Sequence, residues 1–263
     1  MGEKLEIPQL QVAESMAGYA VRRDWLLQNT AGLEVSEADI CDVKQDIYGG
    51  RAIANLVLDR FEDACNARLQ RTAQWFDHPH PNDRHHKGEC DFAAMKLCRA
   101  YYLFCHTDKL HDETLVAIRR FFLTTEFESR HHSENHEFLF HTSRYLMAKV
   151  YRDDLFEAYG KTGADLAAED AEWLLHFIRY RAKRGWGEFD SSCYFQPDWE
   201  CLVSLYDYCG DAGDVDEEIH RLSEQMMQVL LVDMAVDSIN GMYGGAHGRI
   251  YQPHALDHTT GNT

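Results

Sequence analysis

The chain is a succession of helical patterns separated by linkers of two alternating kinds. Apolar residues recur at helical spacing in each predicted helix, and no segment shows the sustained alternation that is typical of a strand. The predicted helices span residues 10–29, 51–75, 91–106, 112–126, 136–158, 165–184, 198–209 and 215–239. This pattern predicts an all-α fold.

The linkers between these helices alternate in composition. Short, plain polar linkers occupy residues 107–111, 159–164 and 210–214. Longer linkers, which we call the rich linkers, hold most of the His, Asn, Trp and Arg outside the helices and occupy residues 77–90, 127–135, 185–197 and 240–253. In an up-down succession of helices every second linker lies at the same end, so we expect the rich linkers to share one end.

The repeating unit is a helix pair of roughly 50 residues, a length typical of helical solenoids and toroids. We therefore predict an (α/α) toroid, or an incomplete toroid, of about four helix pairs. The whole chain, residues 1–263, is expected to form this single domain. Because the sequence stops soon after a rich linker, we expect either a missing C-terminal part or an incomplete ring.

Charge and cysteine content limit the partners and the cellular compartment that the chain is expected to have. A net charge of −18 argues against nucleic acid and anionic membranes as partners. No apolar run is long enough for a transmembrane helix, and the first residues lack the layout of a signal peptide. The eight Cys form no CxxC pair, which favours free thiols in a reducing compartment. If Met1 is the native start, we expect a cytoplasmic protein; its oligomeric state stays open.

One rich linker carries Ser133-Glu134-Asn135-His136 just before a predicted helix. Ser133 is expected to cap that helix. The amide of Asn135 can bind a carboxylate or a hydroxyl, and the imidazole of His136 can take a proton near neutral pH. The alternative is helix capping with a solvated histidine.

The next rich linker concentrates reactive groups from Glu188 to Tyr194, after Gly185-Trp186-Gly187. Glu188 and Asp190 are candidates for the paired carboxylates of glycoside hydrolysis. Tyr194 could act as an acid or a base if its pKa were tuned. The alternative is a polar loop held by turn hydrogen bonds.

The last rich linker contains the glycine-rich run from Gly241 to Arg249. Its glycines allow the backbone to approach a ligand closely, and His247 and Arg249 could bind an acidic or hydroxylated group. Trp186 and Tyr243, with aromatic faces that stack on sugar rings, fit a saccharide cleft. The alternative is an ordinary glycine-rich turn.

The first rich linker is unusually rich in histidine. His78, His80, His85 and His86 could hold a divalent metal, but their spacing matches no zinc motif. Solvated or sugar-contacting histidines are the favoured interpretation, so we predict no cofactor.

The segments SENHEFLFHTSRYL, GWGEFDSSCY and GGAHGRIY together resemble those of the (α/α)-toroid polysaccharide lyases. That group includes alginate, chondroitin and heparinase-type lyases, and related uncharacterised bacterial helical-toroid proteins look similar. The resemblance covers roughly residues 90–253.

The resemblance implies β-elimination on a uronate-containing saccharide, without water or metal. Asn135 would neutralise the uronate carboxylate, and His136 or Tyr194 would abstract the C5 proton. Tyr194 would protonate the leaving oxygen, Arg249 would stabilise the negative charge, and His247 is an alternative base or carboxylate binder. The residues expected to contact the saccharide are Glu134, Trp186, Glu188, Asp190 and Tyr243.

Two further functions stay open. The lyases often place an Arg close before the catalytic Tyr, whereas Lys183 and Arg184 here lie about ten residues upstream of Tyr194. Glu188 and Asp190 would repel an anionic sugar. They suit a glycoside hydrolase instead, with Glu134, Glu188 or Asp190 as acid and base. The third possibility is a non-catalytic helical-repeat module that binds saccharide.

Overall fold

The structure is a computed structural model that describes residues 12–32, 34–42, 48–74, 90–127, 133–188, 191, 194–210, 213–239, 242–243 and 248. These residues form ten α-helices and two short antiparallel hairpins, so the all-α prediction is confirmed. The helices are α1 (Val12–Ala31), α2 (Glu37–Cys41), α3 (Gly50–Val57), α4 (Glu62–Ala73), α5 (Cys90–Phe104), α6 (Asp112–Thr124), α7 (Glu134–Val150), α8 (Gly163–Arg184), α9 (Phe195–Tyr208) and α10 (Asp214–Asp237). The hairpins pair β1 (Leu155–Phe156) with β2 (Lys161–Thr162), and β3 (Ser238–Ile239) with β4 (Met242–Tyr243).

The single helix predicted over residues 51–75 is wrong, because the chain breaks there into α3 and α4. Asp59 and Phe61 have φ values of 55° and 53°, in the left-handed region that ends a helix. The backbone N–H of Arg60 donates to the carbonyl of Asn55, which closes the last turn of α3. The turn contains neither Gly nor Pro, and the apolar pattern continues through it. The sequence alone therefore does not indicate the break.

The helix predicted over residues 136–158 is also too long, since α7 ends at Val150. The β1–β2 hairpin follows it, and the chain then enters α8 through a capping box. The Thr162 hydroxyl accepts from the backbone N–H of Asp165, and the Asp165 carboxylate accepts from the backbone N–H of Thr162.

The helices from α3 onward pack in two rows. In one row, which we call the inner row, α3 contacts α5, α5 contacts α7, and α7 contacts α9. In the other row, α4 contacts α6 and α8 contacts α10, and each inner helix packs on the helix that follows it. Among the described residues the two rows make four helix pairs, and the first of them, α3–α4, falls within the segment that was predicted as one helix. Closure of the rows into a toroid stays a prediction.

Helix α7 lies at the centre of the packing and is mostly buried. Phe138, Leu139 and Leu146 are fully shielded from solvent, and they join one core that extends through the helices on both sides of α7. The less buried side chains of α7, Glu137, His141 and Arg144, recur at helical spacing and form one polar stripe. Within the described part of the chain, no helix combines the length and apolar character needed to cross a membrane.

The helices α5, α7 and α9 run parallel, in a common register. Near the start of α5, Asp91 contacts His136 at the start of α7, and near the end of α5, the Tyr102 hydroxyl donates to the carbonyl of Leu146. At the end of α7, Lys149 donates to the carbonyl of Tyr208 at the end of α9. The N-terminal ends of the three helices therefore lie at one level, which we call the site end.

Candidate functional site

Two rich linkers meet at the site end through the side chain of Glu134. Its Oε2 accepts hydrogen bonds from the backbone N–H groups of Gly187 (2.6 Å) and Glu188 (3.1 Å). The Arg181 Nε lies 3.0 Å from Oε1, an ion pair whose angle is not that of a hydrogen bond. Burial raises the pKa of Glu134, and these partners offset part of the rise. The first residue of α7 thus holds the α8–α9 linker in place.

His136 is oriented by a buried carboxylate. Its Nδ1 lies 2.5 Å from Oδ2 of Asp91, which is 0% exposed, while the imidazole itself is 8% exposed. The ring packs edge-on against Phe92, with centroids 5.4 Å apart. Burial raises the pKa of Asp91, and the contact with His136 offsets part of that rise. Because Nδ1 faces Asp91, Nε2 is the nitrogen left for proton transfer.

Asn135 places an amide donor beside this pair. It is fully buried, its Oδ1 accepts from the Ser133 hydroxyl at 2.7 Å, and its Nδ2 has no hydrogen-bond partner among the described residues. A buried donor without a partner costs about 1–3 kcal/mol, so it points to a ligand or water. The expectation that Ser133 caps α7 is wrong, since its hydroxyl makes no capping bond and is used on Asn135 instead.

Asp198 adds a second buried acid at this end, in the first turn of α9. It is 3% exposed, and its Oδ1 has no hydrogen-bond partner within the described part of the chain. Burial raises the pKa of Asp198 well above its usual range, and the negative charges of Glu134 and Glu188 raise it further. A carboxyl group in this setting holds its proton to higher pH, which is the property of a general acid.

An open pocket of about 510 Å³ lies beside these groups, and we call it the α7–α8 pocket. Its walls are the first turn of α7, the facing side of α8 and the start of the α8–α9 linker. Charged and aromatic side chains line it: Glu134, Glu137, Glu188, Arg181, Trp173 and Phe177. Arg181 lies over the Phe177 ring at 5.0 Å. The pocket combines apolar walls with charge, as small-molecule sites do.

A second His–carboxylate pair supports the wall of this pocket. The Nδ1 of His141 lies 2.7 Å from Oδ1 of Asp170, and its Nε2 lies 3.7 Å from Glu137. Burial alone would lower the pKa of His141, but its hydrogen bonds to Asp170 and Glu137 outweigh burial and raise it. The His141 ring also stacks on Trp173, with centroids 3.8 Å apart.

The structure brings together five of the predicted site residues and places a sixth, Tyr194, at the same end. Glu134, Asn135 and His136 begin α7, Trp186 and Glu188 lie in the linker that Glu134 holds, and Tyr194 directly precedes α9. In the parallel register of α7 and α9, Tyr194 lies level with Asn135. Trp186 packs near Phe138 and Phe177, and its Nε1 has no hydrogen-bond partner among the described residues.

Other predictions cannot be placed. Tyr243 lies in β4, but nothing is described of its side chain. The remaining candidates fall outside the described residues: Asp190, His247, Arg249, and the four histidines considered as possible metal ligands, His78, His80, His85 and His86. Over the described ranges, no group of three His, Cys, Asp or Glu side chains is arranged to hold a metal ion.

Four further residues lie at the site end but were not predicted from the sequence: Asp91, Glu137, Arg181 and Asp198. Each looks ordinary in sequence, since acids in the first turn of a helix and a base in the last turn complement the helix dipole. The available signal was their position: Asp91 and Asp198 both begin inner helices directly after rich linkers.

No family model, curated protein or solved structure matches this chain. The site therefore has to be interpreted from its own geometry.

Proposed function

We propose that the protein is a carbohydrate-active lyase that cleaves uronate-containing saccharides by β-elimination. The observation that carries the proposal is the juxtaposition of Asn135, with its unpartnered amide, and His136, held at Nδ1 by Asp91. Tyr194 lies level with them at the start of α9. An amide donor, an oriented base and a phenol are the groups that this reaction needs.

In the proposed reaction, Asn135 Nδ2 donates to the uronate carboxylate, which makes the C5 proton more acidic. The N-terminal end of α7 also favours a negative charge. Nε2 of His136 takes the C5 proton as the C4–O bond breaks and a C4–C5 double bond forms. Asp91 stabilises the resulting imidazolium, and the Tyr194 hydroxyl gives its proton to the leaving oxygen. Arg249 keeps its predicted role of stabilising the negative charge, and His247 keeps its predicted role as an alternative base or carboxylate binder.

The experiment that tests this proposal is a screen of acidic polysaccharides and their oligosaccharides, followed by ultraviolet absorbance. β-Elimination creates an unsaturated uronate that absorbs in the ultraviolet, whereas hydrolysis creates none. We expect a rise on at least one uronate polymer. A failure on alginate, chondroitin, heparin-type and polygalacturonate substrates alike would exclude the lyase.

A glycoside hydrolase on the same scaffold is the second candidate, and Asp198 is the observation in its favour. This buried acid, with its raised pKa, lies near two further carboxylates, Glu134 and Glu188. A carboxylic acid and a carboxylate are the pair that glycoside hydrolysis uses. New reducing ends without ultraviolet absorbance, abolished by Asp198→Asn, would favour the hydrolase.

A further inference from the structure

We propose that the protein forms a two-fold dimer in which helix α1 of each copy packs against the end of helix α10 of the other copy. Two exposed surfaces meet in this dimer: the α1 face, residues 19–26, and the α10 face, residues 229–237. The dimer is independent of the proposed function.

The exposed apolar side chains of the protein concentrate on these two faces. Among the described residues, fifteen large apolar side chains are exposed, and eight of them lie on the α1 face or the α10 face. Each of the eight is at least 53% exposed: Tyr19, Val21, Trp25, Leu26, Val229, Leu231, Val232 and Val236. Contiguous exposed apolar surface marks an interaction site, whereas single exposed apolar residues are normal.

The exposed side of α10 changes from polar to apolar along the helix. In its first half, four polar residues lie on this side: Glu217, Arg221, Gln225 and Gln228. Further along the same side, Val229, Val232 and Val236 follow one another at helical spacing. The polar residues suit contact with water, and the valines suit contact with another apolar surface.

Helix α1 has a similar uncovered surface. It contacts α3, and its last residue, Ala31, is fully buried, but residues 19–26 are all exposed. Two apolar pairs flank Arg22 on this surface: Val21 with Trp25, and Tyr19 with Leu26. The α1 face is therefore an apolar surface with a cation at its centre.

Charge favours the α1 face as the partner of the α10 face. The charged side chains of the α10 face are Asp233 and Asp237, and neither forms an ion pair among the described residues. On α1, Arg23 pairs with Asp24 at 2.7 Å, which leaves Arg22 to pair with an acid of another surface. Contact between two α10 faces would bring acids together, and contact between two α1 faces would bring arginines together. Both arrangements are disfavoured.

A second copy of the chain supplies both faces at once. Helix α1 packs on the first helix pair through α3, whereas α10 belongs to the last pair, so the two faces lie on different ends of the row. A two-fold axis between two copies would cover both α1 faces and both α10 faces in one closed dimer.

The test is sedimentation of the full chain at micromolar concentration in about 0.15 M salt, which screens the repulsion between chains of net charge −18. We expect the mass of two chains. Trp25→Glu and Val232→Glu should each weaken dimerisation at least about tenfold, because each places a charge in an apolar contact. The matched control is Val116→Glu, at an exposed position of α6 outside both faces, which should leave the dimer unchanged. Trp25 and Val232 are exposed within one chain, so circular dichroism should show unchanged helix content in both variants.

A charge exchange identifies which faces meet. Arg22→Glu and Asp233→Arg should each weaken the dimer, and the double variant should restore it. A wild-type monomer would overturn the dimer and leave both faces to other partners. A dimer that Val232→Glu dissociates but Trp25→Glu does not would show that α10 pairs with α10. A mass above that of two chains would overturn the closed two-fold arrangement.

Discussion

Two buried aspartates, Asp198 at the site end and Asp216 at the opposite end, differ in their hydrogen-bond partners. At the site end, Asn135, Trp186 and Asp198 each keep a buried polar atom without a partner among the described residues. At the opposite end, Asp216 accepts hydrogen bonds from Lys149 (2.5 Å), Tyr145 (2.7 Å) and the backbone N–H of Gly210 (2.9 Å).

The pKa values of the two buried aspartates follow this difference. Burial would raise the pKa of Asp216, but its three hydrogen bonds outweigh burial and lower it. Burial raises the pKa of Asp198, and the neighbouring carboxylates raise it further. The carboxylate of Asp216 therefore stabilises the fold, whereas the burial of the Asp198 carboxyl lowers the free energy of unfolding. A protein keeps such an unfavourable environment around a carboxyl group where a functional site depends on the raised pKa.

The largest expected effect is on activity, from His136→Gln. The variant removes the base but keeps a polar side chain beside Asp91, so turnover should fall by about 10³-fold. The measurement is the initial rate of ultraviolet absorbance on the best uronate substrate. The control is His220→Gln on α10, whose half-buried imidazole bonds the carbonyl of Tyr206 and stacks on the Tyr206 ring. Activity of His136→Gln within twofold of wild type would remove His136 from the mechanism.

The next effect is on stability, from Asp216→Ala at the opposite end. The change leaves the Lys149 ammonium and the Tyr145 hydroxyl without their shared acceptor, which should cost about 3 kcal/mol in the free energy of unfolding. Urea denaturation measures it. The exposed Asp237→Ala serves as a control. Turnover per folded molecule should not change, and a loss of turnover would show that the two ends are coupled.

The helices and the end at which each linker lies could largely be predicted, because the spacing of apolar residues and the composition of the linkers are properties of the local sequence. The bounds of α5, α6, α8, α9 and α10 lie within a few residues of the predicted ones, and linker alternation predicted that Glu134 and Glu188 would lie at one end. The break at Phe61 and the burial of Asp198 were not predictable. Both depend on tertiary packing, since a left-handed phenylalanine and a buried acid are disfavoured by their own local chemistry.

A smaller effect, of opposite sign, is expected from Asp198→Asn. The folded-state pKa of Asp198 is raised above its unfolded value of about 3.9, so wild type loses stability as pH rises through the interval between the two. The variant carries no such charge and should be more stable by about 1 kcal/mol at pH 8. The difference should vanish near pH 4. Denaturation curves at both pH values measure it, and a variant less stable than wild type at pH 8 would contradict the assignment.

In the same pH series, the contribution of Asp216 to stability should depend on pH in the opposite sense to that of Asp198. The folded-state pKa of Asp216 lies below its unfolded value, so its contribution is present at neutral pH and is lost as pH falls through the folded pKa. The penalty of Asp216→Ala should therefore shrink below about pH 4. A penalty that stays constant with pH would mean that packing, not charge, dominates at Asp216.

The smallest effect on stability should come from Gly187→Ala in the linker that Glu134 holds. A Cβ at residue 187 would lie 2.9 Å from Glu134 Oε2, so the carboxylate or the linker must shift by a few tenths of an ångström. The stability cost should be at most about 1 kcal/mol, because the carboxylate is the end of a flexible side chain. Turnover should still fall by about tenfold, since small displacements of a site are costly to catalysis. Ala168→Gly, at an exposed position of α8, is a control that costs about 1 kcal/mol by helix propensity alone. Equal turnover in the two variants would show that the linker position does not matter, and a selective loss in Gly187→Ala would place the Glu134–linker contact within the working site.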